Sequence, residues 1–380
     1  MFTALLILIF IRPFISSLAF PYVNFLYSFL LLGLLSIWIV VKKISLDKIK
    51  AIKYPLLIFI LALFISLVFS SDKIISLKEL YKYLTGILLI LTGLSLSGKD
   101  RKQVIFCMVS AGVLISLLAI YQYLFGFQHL LTYIIKEKVS NSFTLDYISR
   151  RRIFFPFVTP NTLAGYLAMI IPLALSYKNK IWLMIPLSFA LLLTKSLGGL
   201  LSVFLALAIY FYLQGKLKKG GIIFLSGLLV IIGVVFMVRA AAPQQHLQPI
   251  FSTIMRLNYW KGALKIIKMY PLAGVGLGNF NLPQSRYAHN SYLQIWAEMG
   301  ILGIISILWL AIAIIKSALK KINGAANSRT AALIAANFAF LFHNLLDFTF
   351  FLPEVSLIWW LILCLLLPSD SGKIPYKTGF

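Results

Sequence analysis

The 380-residue sequence predicts an all-α, polytopic membrane protein with about twelve transmembrane helices. Three observations predict it. Hydrophobic residues make up 61% of the chain and charged residues 12%, against roughly 45–50% and about 25% in soluble domains. Mean hydropathy is +0.95, which excludes a soluble globular protein and also a disordered one, since disorder needs low hydrophobicity. The apolar residues also fall in stretches of about 17–25, the length that spans a bilayer as a helix.

In chain order the stretches are 3–19, 22–41, 54–70, 77–97, 103–126, 161–177, 180–194, 197–213, 220–238, 290–315, 330–349 and 354–368. Arg12 and Pro13 interrupt the first. The seventh and eighth are short and meet at Thr194–Gly199, where a re-entrant pair fits as well as two crossings. No repeat, low-complexity tract or linker divides the chain, so 1–380 reads as a single membrane domain. Two connections are long enough to fold, 127–160 and 239–289. The N-terminus lacks a basic region and a small-residue cleavage site, and reads as a retained helix. Cys107 and Cys364 lie inside apolar runs and imply no disulfide.

Charge sets the orientation. There are 35 Lys and Arg against 10 Asp and Glu, a net of +25. With the N-terminus in the cytoplasm, the inner connections hold 19 cations, among them Lys48, Lys218, Lys321, Lys373 and Lys377, and the short outer ones only Lys73, Lys78, Lys82 and Lys195. This is the positive-inside pattern, so both termini are expected in the cytoplasm. The two long outer connections carry 11 more cations. An excess of this size points to an anionic partner, either membrane lipid headgroups or a phosphorylated substrate. Nucleic acid is excluded as a partner, because no soluble module carries a basic groove.

The connection 239–289 holds Arg239, Arg256, Lys261, Lys265, Lys268 and Arg286 and no acid. A single-sign field of this kind suits phosphate or diphosphate, with lipid headgroups as the competing reading. Within it, Ser252 caps an expected helix that Tyr270-Pro271 stops. Arg256, Trp260, Ala263, Leu264 and Ile267 share one face, and Lys261, Lys265 and Lys268 form a separate stripe, as in an interfacial amphipathic helix. Arg256 sits at the edge of the apolar face, where a guanidinium either forks two phosphate oxygens or snorkels. Gly274-Val-Gly276-Leu-Gly278 lacks the flanking strand of a nucleotide fingerprint. It reads as turns that bring backbone close to a ligand. His289, after Arg286, is either an interfacial polar residue or a base for a hydroxyl proton.

In the eleventh stretch, His343-Asn344 and Asp347 are one turn apart on an expected helix. An ionisable group there is a functional candidate, set against a packing hydrogen bond. In the other long connection Arg150-Arg151-Arg152 precede Thr159-Pro160-Asn161-Thr162, and Asn161 or Thr162 is the expected cap of the next helix. That arrangement makes an anion site or a headgroup-holding cluster. Four histidines and no paired carboxylates give no metal-binding pattern, and no cofactor is expected. Arginines could neutralise a diphosphate leaving group without a metal.

Arg256-x-x-x-Trp260-x-x-Ala263, Pro271-Leu-Ala-Gly274-Val-Gly276-x-Gly278-Asn-Phe280, His289-Asn290-Ser-Tyr292-Leu, Glu298-Met-Gly300-Ile-Leu-Gly303 and His343-Asn344-Leu-Leu-Asp347-Phe stand in one order. With Arg152 and Pro160-Asn161-x-Leu163-Ala164 upstream, this series resembles the O-antigen ligase family. The resemblance implies a polyprenyl-diphosphate-linked glycan as donor, moved en bloc without metal to a hydroxyl outside the cytoplasmic membrane. It implies His289 as the residue that binds or deprotonates the acceptor hydroxyl. Arg152 and Arg256 would hold the diphosphate, with Arg286 a weaker candidate. The sequence departs from the family at Ile153-Phe-Phe155, which leaves Arg151 beside Arg152 as a candidate. Asn161, Trp260, Tyr292, His343 and Asp347, inside the matching motifs, are further substrate-binding candidates. The expected acceptor is a lipid A-core sugar. A polymerase joining lipid-linked repeat units, a protein O-glycosyltransferase and an anionic-lipid transporter are the competing readings.

Overall fold

The computed structural model describes residues 1–43, 49–137, 142–178, 180–217, 219–241, 249–320, 322 and 326–367. Lys48, Lys218, Lys321, Lys373 and Lys377, used above for orientation, and His246 lie outside the described residues. Among those described the chain is all-helical, without strands. The elements are α1 (Phe2–Ile11), α2 (Pro21–Lys42), α3 (Lys53–Val68), α4 (Lys73–Gly93) and α5 (Gly98–Tyr121). Next come α6 (Phe127–Lys136), α7 (Ser142–Ser149), α8 (Pro160–Ala174), α9 (Lys180–Thr194) and α10 (Leu197–Leu213). They are followed by α11 (Lys219–Ala240), α12 (Pro249–Met269), α13 (Ser291–Leu319), α14 (Ser328–His343) and α15 (Pro353–Leu366). Four helical stretches, Pro21–Lys42, Gly98–Lys136, Lys219–Ala240 and Ser291–Leu319, are long and apolar enough to cross a membrane. Shorter apolar helices accompany them. The protein is therefore a multi-pass membrane protein.

The core is built on α8 and α15. Every residue of α15 is buried, and in α8 only Asn161 is not. Helices apolar on all sides belong inside a bundle or in lipid, and these two lie inside, with α14 and α10 packed on α8 and α4 on α15. Small residues allow the close approaches, as Gly199 of α10 does against Ala164. At the periphery α11 is almost wholly exposed.

The connections sort into two groups. Arg101 donates to the carbonyls of Gly93, Leu365 and Leu367, neutralising the C-terminal ends of α4 and α15. In the same predicted-inner set, Ala326 donates to Leu213 at 2.8 Å. The predicted-outer connections touch one another instead: Arg152 reaches the α9–α10 turn, and Ser291 reaches the end of α14.

Several expected boundaries change. The first stretch is not a helix over 3–19, because α1 stops at Ile11 and a 3-10 turn occupies Arg12–Phe14. Arg12 is not in lipid but buried, bonded to Asn24 Oδ1 at 2.7 Å and 3.4 Å from Glu354 Oε2. A buried charge persists only when so paired. Helix α12 begins at Pro249 rather than after Ser252. The cap of α8 is Thr159, whose Oγ1 accepts from Thr162 N–H at 3.1 Å, and not Asn161 or Thr162. Pro160 takes the first helical position, which puts the cap on the residue before it. The eleventh stretch ends at His343; Asn344 is its cap and Asp347 sits in the following turn, not on the helix.

Stretch 290–315 is also not one continuous helix. Gly300 has φ +67° and ψ −172°, dividing α13 into Ser291–Met299 and a longer half ending at Leu319. The glycine-rich segment packs into this break. Val275 and Gly276 donate to the carbonyls of Ala297 and Glu298, Ile301 donates to Pro271, and Gly278 donates to Glu298 Oε2 at 2.8 Å. The glycines thus bring backbone close to α13. A Cβ on Gly300 would collide with the Leu272 carbonyl. Gly300→Ala should cost about 1–3 kcal/mol of stability, read as a lowered melting midpoint in detergent, whereas Gly33→Ala, where a Cβ meets nothing within 4 Å, should leave it in place. Equal midpoints for the two variants would contradict this account of the break.

Candidate functional site

Arg152 is the most constrained side chain of the site. Its Nε donates to the Thr194 carbonyl at 2.8 Å and one Nη to Asn161 Oδ1 at 3.2 Å. It therefore ties the start of α8 to the turn between α9 and α10, and its guanidinium lies 5.8 Å from the Tyr147 ring. No carboxylate faces it within ion-pair distance among the described residues. Burial, with Arg239, Arg150 and Arg256 nearby, pushes its pKa down to about 9. It remains a cation at neutral pH, in a field of its own sign.

Those neighbours come from three separate segments. Arg239 ends α11, Arg256 lies on α12 and Arg150 follows α7. Lys195, in the α9–α10 turn, donates to the Arg150 carbonyl at 2.7 Å and has its pKa lowered by burial and by Arg152, Arg151 and Arg150. The Nε atoms of Arg150, Arg239 and Arg256 and the Trp260 indole nitrogen are buried without a hydrogen-bond partner in the protein. An orphaned buried donor costs about 1–3 kcal/mol. Three guanidiniums with an unpartnered Nε, close to a fourth and with Asp146 acting on Arg150 alone of them, leave donors of the kind that suits an anion with several oxygens.

His289 stands beside this cluster. Its ring stacks on Tyr259 of α12 at 5.5 Å and meets the Phe348 ring edge-on at 4.8 Å. Burial lowers its pKa; Asp347 pulls it up and Arg256 pushes it further down. The imidazole is therefore neutral at pH 7 and able to take a proton. Its φ of +50° is rare for a side-chain-bearing residue, and Arg151 and Lys195 share that backbone region at +49° and +50°. Such strain collects at functional sites. Asn290 holds the conformation, its Oδ1 accepting from Tyr292 and Leu293 N–H at 3.1 Å as the cap of α13.

Behind His289, Asn344 Oδ1 accepts from Ser291 Oγ at 2.6 Å, Thr349 Oγ1 at 3.2 Å and Phe350 N–H at 2.8 Å. This locks the turn that carries Asp347. Asp347 Oδ1 accepts from Phe348 N–H at 2.7 Å, and Oδ2 lies 3.9 Å from His343 Nε2. His343 packs where a Cβ on Gly165 would be, so the glycine in α8 makes room for the imidazole. His343 and Asp347 are buried, and stand closer to a positioning shell than to an open pocket.

The structure brings together Arg152, Arg256, Asn161, His289, His343 and Asp347, with Trp260 one turn along α12 from Arg256. Three sequence candidates fall elsewhere. Arg151 turns outward, over the Tyr123 ring at 4.3 Å, with its guanidinium donating to the Tyr123 carbonyl. Arg286 is 61% exposed and lies 3.8 Å from Glu79, away from the arginines. Tyr292 spends its hydroxyl on the Leu341 carbonyl at 2.6 Å. Arg239, Lys195, Tyr147 and Tyr259 join the site without having been singled out. Their only sequence signal was membership of the cationic outer connections. On α12 the buried face carries Ala263 and Ile267, the Lys stripe is exposed as expected, and Leu264 is exposed too. Among the described residues no group of three or more His, Cys, Asp or Glu side chains is assembled.

No curated protein matches the chain. A family model described as O-Antigen ligase matches residues 181–308. That span contains the α9–α10 turn, Arg239, Arg256 and His289, whereas Arg152, His343 and Asp347 lie beyond it and meet it in space. The motif resemblance and the match point to one family: residues 181–308 of this membrane protein are similar to the O-antigen ligase family.

Proposed function

We propose that the protein is a glycosyltransferase that moves a glycan en bloc from a polyprenyl diphosphate carrier to a sugar hydroxyl of lipid A-core. The observation that carries this reading is the cluster of Arg150, Arg152, Arg239 and Arg256, three of them with unpartnered buried donors, beside a neutral His289. The reaction works on the outer face of the inner membrane, with both termini inside, a placement that the cationic inner connections support.

In this mechanism the acceptor hydroxyl oxygen attacks the anomeric carbon while the bond from that carbon to the diphosphate oxygen breaks. The electron pair leaves on the diphosphate, where Arg152 and Arg256 receive the added negative charge. The hydroxyl proton passes to the His289 imidazole. One displacement inverts the anomeric configuration. Guanidiniums offered to a developing charge are a large source of rate enhancement, and they do here what a divalent cation does elsewhere. Asp347 acts through His289, favouring the imidazolium that forms on proton transfer.

The test uses purified protein, a defined polyprenyl-diphosphate glycan, EDTA in the buffer, and mass analysis with and without lipid A-core. Glycan should appear on the core, with inverted linkage and undiminished by EDTA. Lengthening of the lipid-linked glycan with the core ignored would make the protein a polymerase, and strict metal dependence would overturn the arginine mechanism.

A further inference from the structure

A recess of about 600 Å³ opens beside the site, lined in part by Tyr22, Tyr81, Tyr287, Lys78, Lys82 and Arg286. A second recess of about 510 Å³ shares Lys78, Glu79 and Arg286 with it and continues past Asn279 and Asn281. Each falls within the roughly 300–1,000 Å³ of small-molecule sites, and the shared residues join them into one groove. Tyr287, on its wall, stacks on Phe348 with ring centroids 4.1 Å apart, and the edge of Phe348 meets His289. Phe348 is thus in contact with both the groove wall and the proposed base.

The lining has two characters. Tyrosine rings offer flat apolar faces with a polar rim, the surface on which a pyranose lies. Against them stand three cations and one carboxylate, Glu79. Lys82 is committed, paired with Glu79 and donating to the Phe351 carbonyl at 3.0 Å. Arg286, 3.8 Å from Glu79 and mostly exposed, is only loosely held. Lys78 is exposed on the same helix face. A neutral sugar would leave Lys78 to solvent and Arg286 with only its long contact to Glu79, whereas an acidic one would engage both.

We infer that this groove holds the acceptor saccharide through an anionic group on one of its sugars, with Lys78 and Arg286 determining that specificity. The inference rests on the transfer reading for the word acceptor; the binding itself does not.

The experiment uses the full chain in neutral detergent and three probes: tetragalacturonate, its methyl ester, and inorganic pyrophosphate to report on the arginine cluster. Tetragalacturonate should bind at least about tenfold more tightly than the ester, the scale of one charge-assisted contact, and pyrophosphate should not displace it. Both K78E/R286E and the milder K78Q/R286Q should lose that preference and keep pyrophosphate binding. Equal binding of acid and ester would overturn the inference. So would full displacement by pyrophosphate, which would seat the acid among the arginines, or an undiminished preference in K78Q/R286Q. If nanodiscs of phosphatidylglycerol abolish the preference and those of phosphatidylcholine do not, the groove belongs to lipid headgroups and the inference falls. Failure of the transfer reading looks different: no pyrophosphate binding and no glycan transfer, with the acid preference intact.

Discussion

Replacing Arg256 with alanine is expected to lower glycan transfer by about 10²–10³-fold, the loss that follows removal of one preorganised donor to a developing charge. The variant should insert normally and elute as a single species. Arg256 donates no hydrogen bond that the fold needs: its Nε is buried without a partner, and the helix around it is held by Ala263 and Ile267. The loss should therefore appear in kcat and in the binding of pyrophosphate, not in the melting midpoint. Arg256→Lys keeps the charge but not the fork, and should recover only part of the rate. Full activity in Arg256→Ala would remove the diphosphate from this cluster.

Replacing His289 with alanine is expected to lower transfer by about 10²–10⁴-fold, the usual worth of a positioned proton acceptor. The pH profile separates a base from a residue that only positions the hydroxyl. A base must be neutral, and the pKa of His289 lies below the ordinary histidine value of 6.5. The rate should therefore hold level as pH falls through that value and drop only below it. Asp347 raises that pKa, so Asp347→Asn should move the acid limb to still lower pH. Residual activity in His289→Ala should have lost the limb altogether. A limb that stays where it was in both variants would assign the titration to another group.

Much of this was legible in the sequence. Membrane helices announce themselves by composition, because a lipid-facing surface tolerates few charges, and the apolar stretches fall on helices, although the first stops at Ile11, the tenth breaks at Gly300 and the eleventh ends at His343. The motifs singled out Arg152, Arg256 and His289, which the fold brings near one another. What was hidden has physical reasons. The break at Gly300 is invisible because glycine inside an apolar run also suits close helix packing; only the Leu272 carbonyl beside it excludes a straight helix. The turn after His343 is written in Leu345, Leu346 and Phe348, residues as apolar as the helices on either side, and it exists because Asn344 collects three donors. Arg239 reads as an ordinary interfacial anchor at the end of a span. That it faces three other arginines is a property of the assembled bundle. Arg286 shows the converse: a weaker diphosphate candidate for its place near His289 in the motif, it lies 3.8 Å from Glu79.

The scattering of the arginine site along the chain has a consequence for how the protein is made. Arg152 cannot take up its hydrogen bond until Thr194 has been synthesised, the cluster lacks Arg256 for another sixty-odd residues, and the turn bearing Asp347 is fixed only by the segment leading into α15. A chain halted during insertion therefore has its cations on separate, unassembled pieces and no means of gripping a diphosphate. Under the proposed function, the cation cluster is complete only once α12 has been made and the turn bearing Asp347 only with α15, so shorter copies in the membrane would not sequester the lipid carrier.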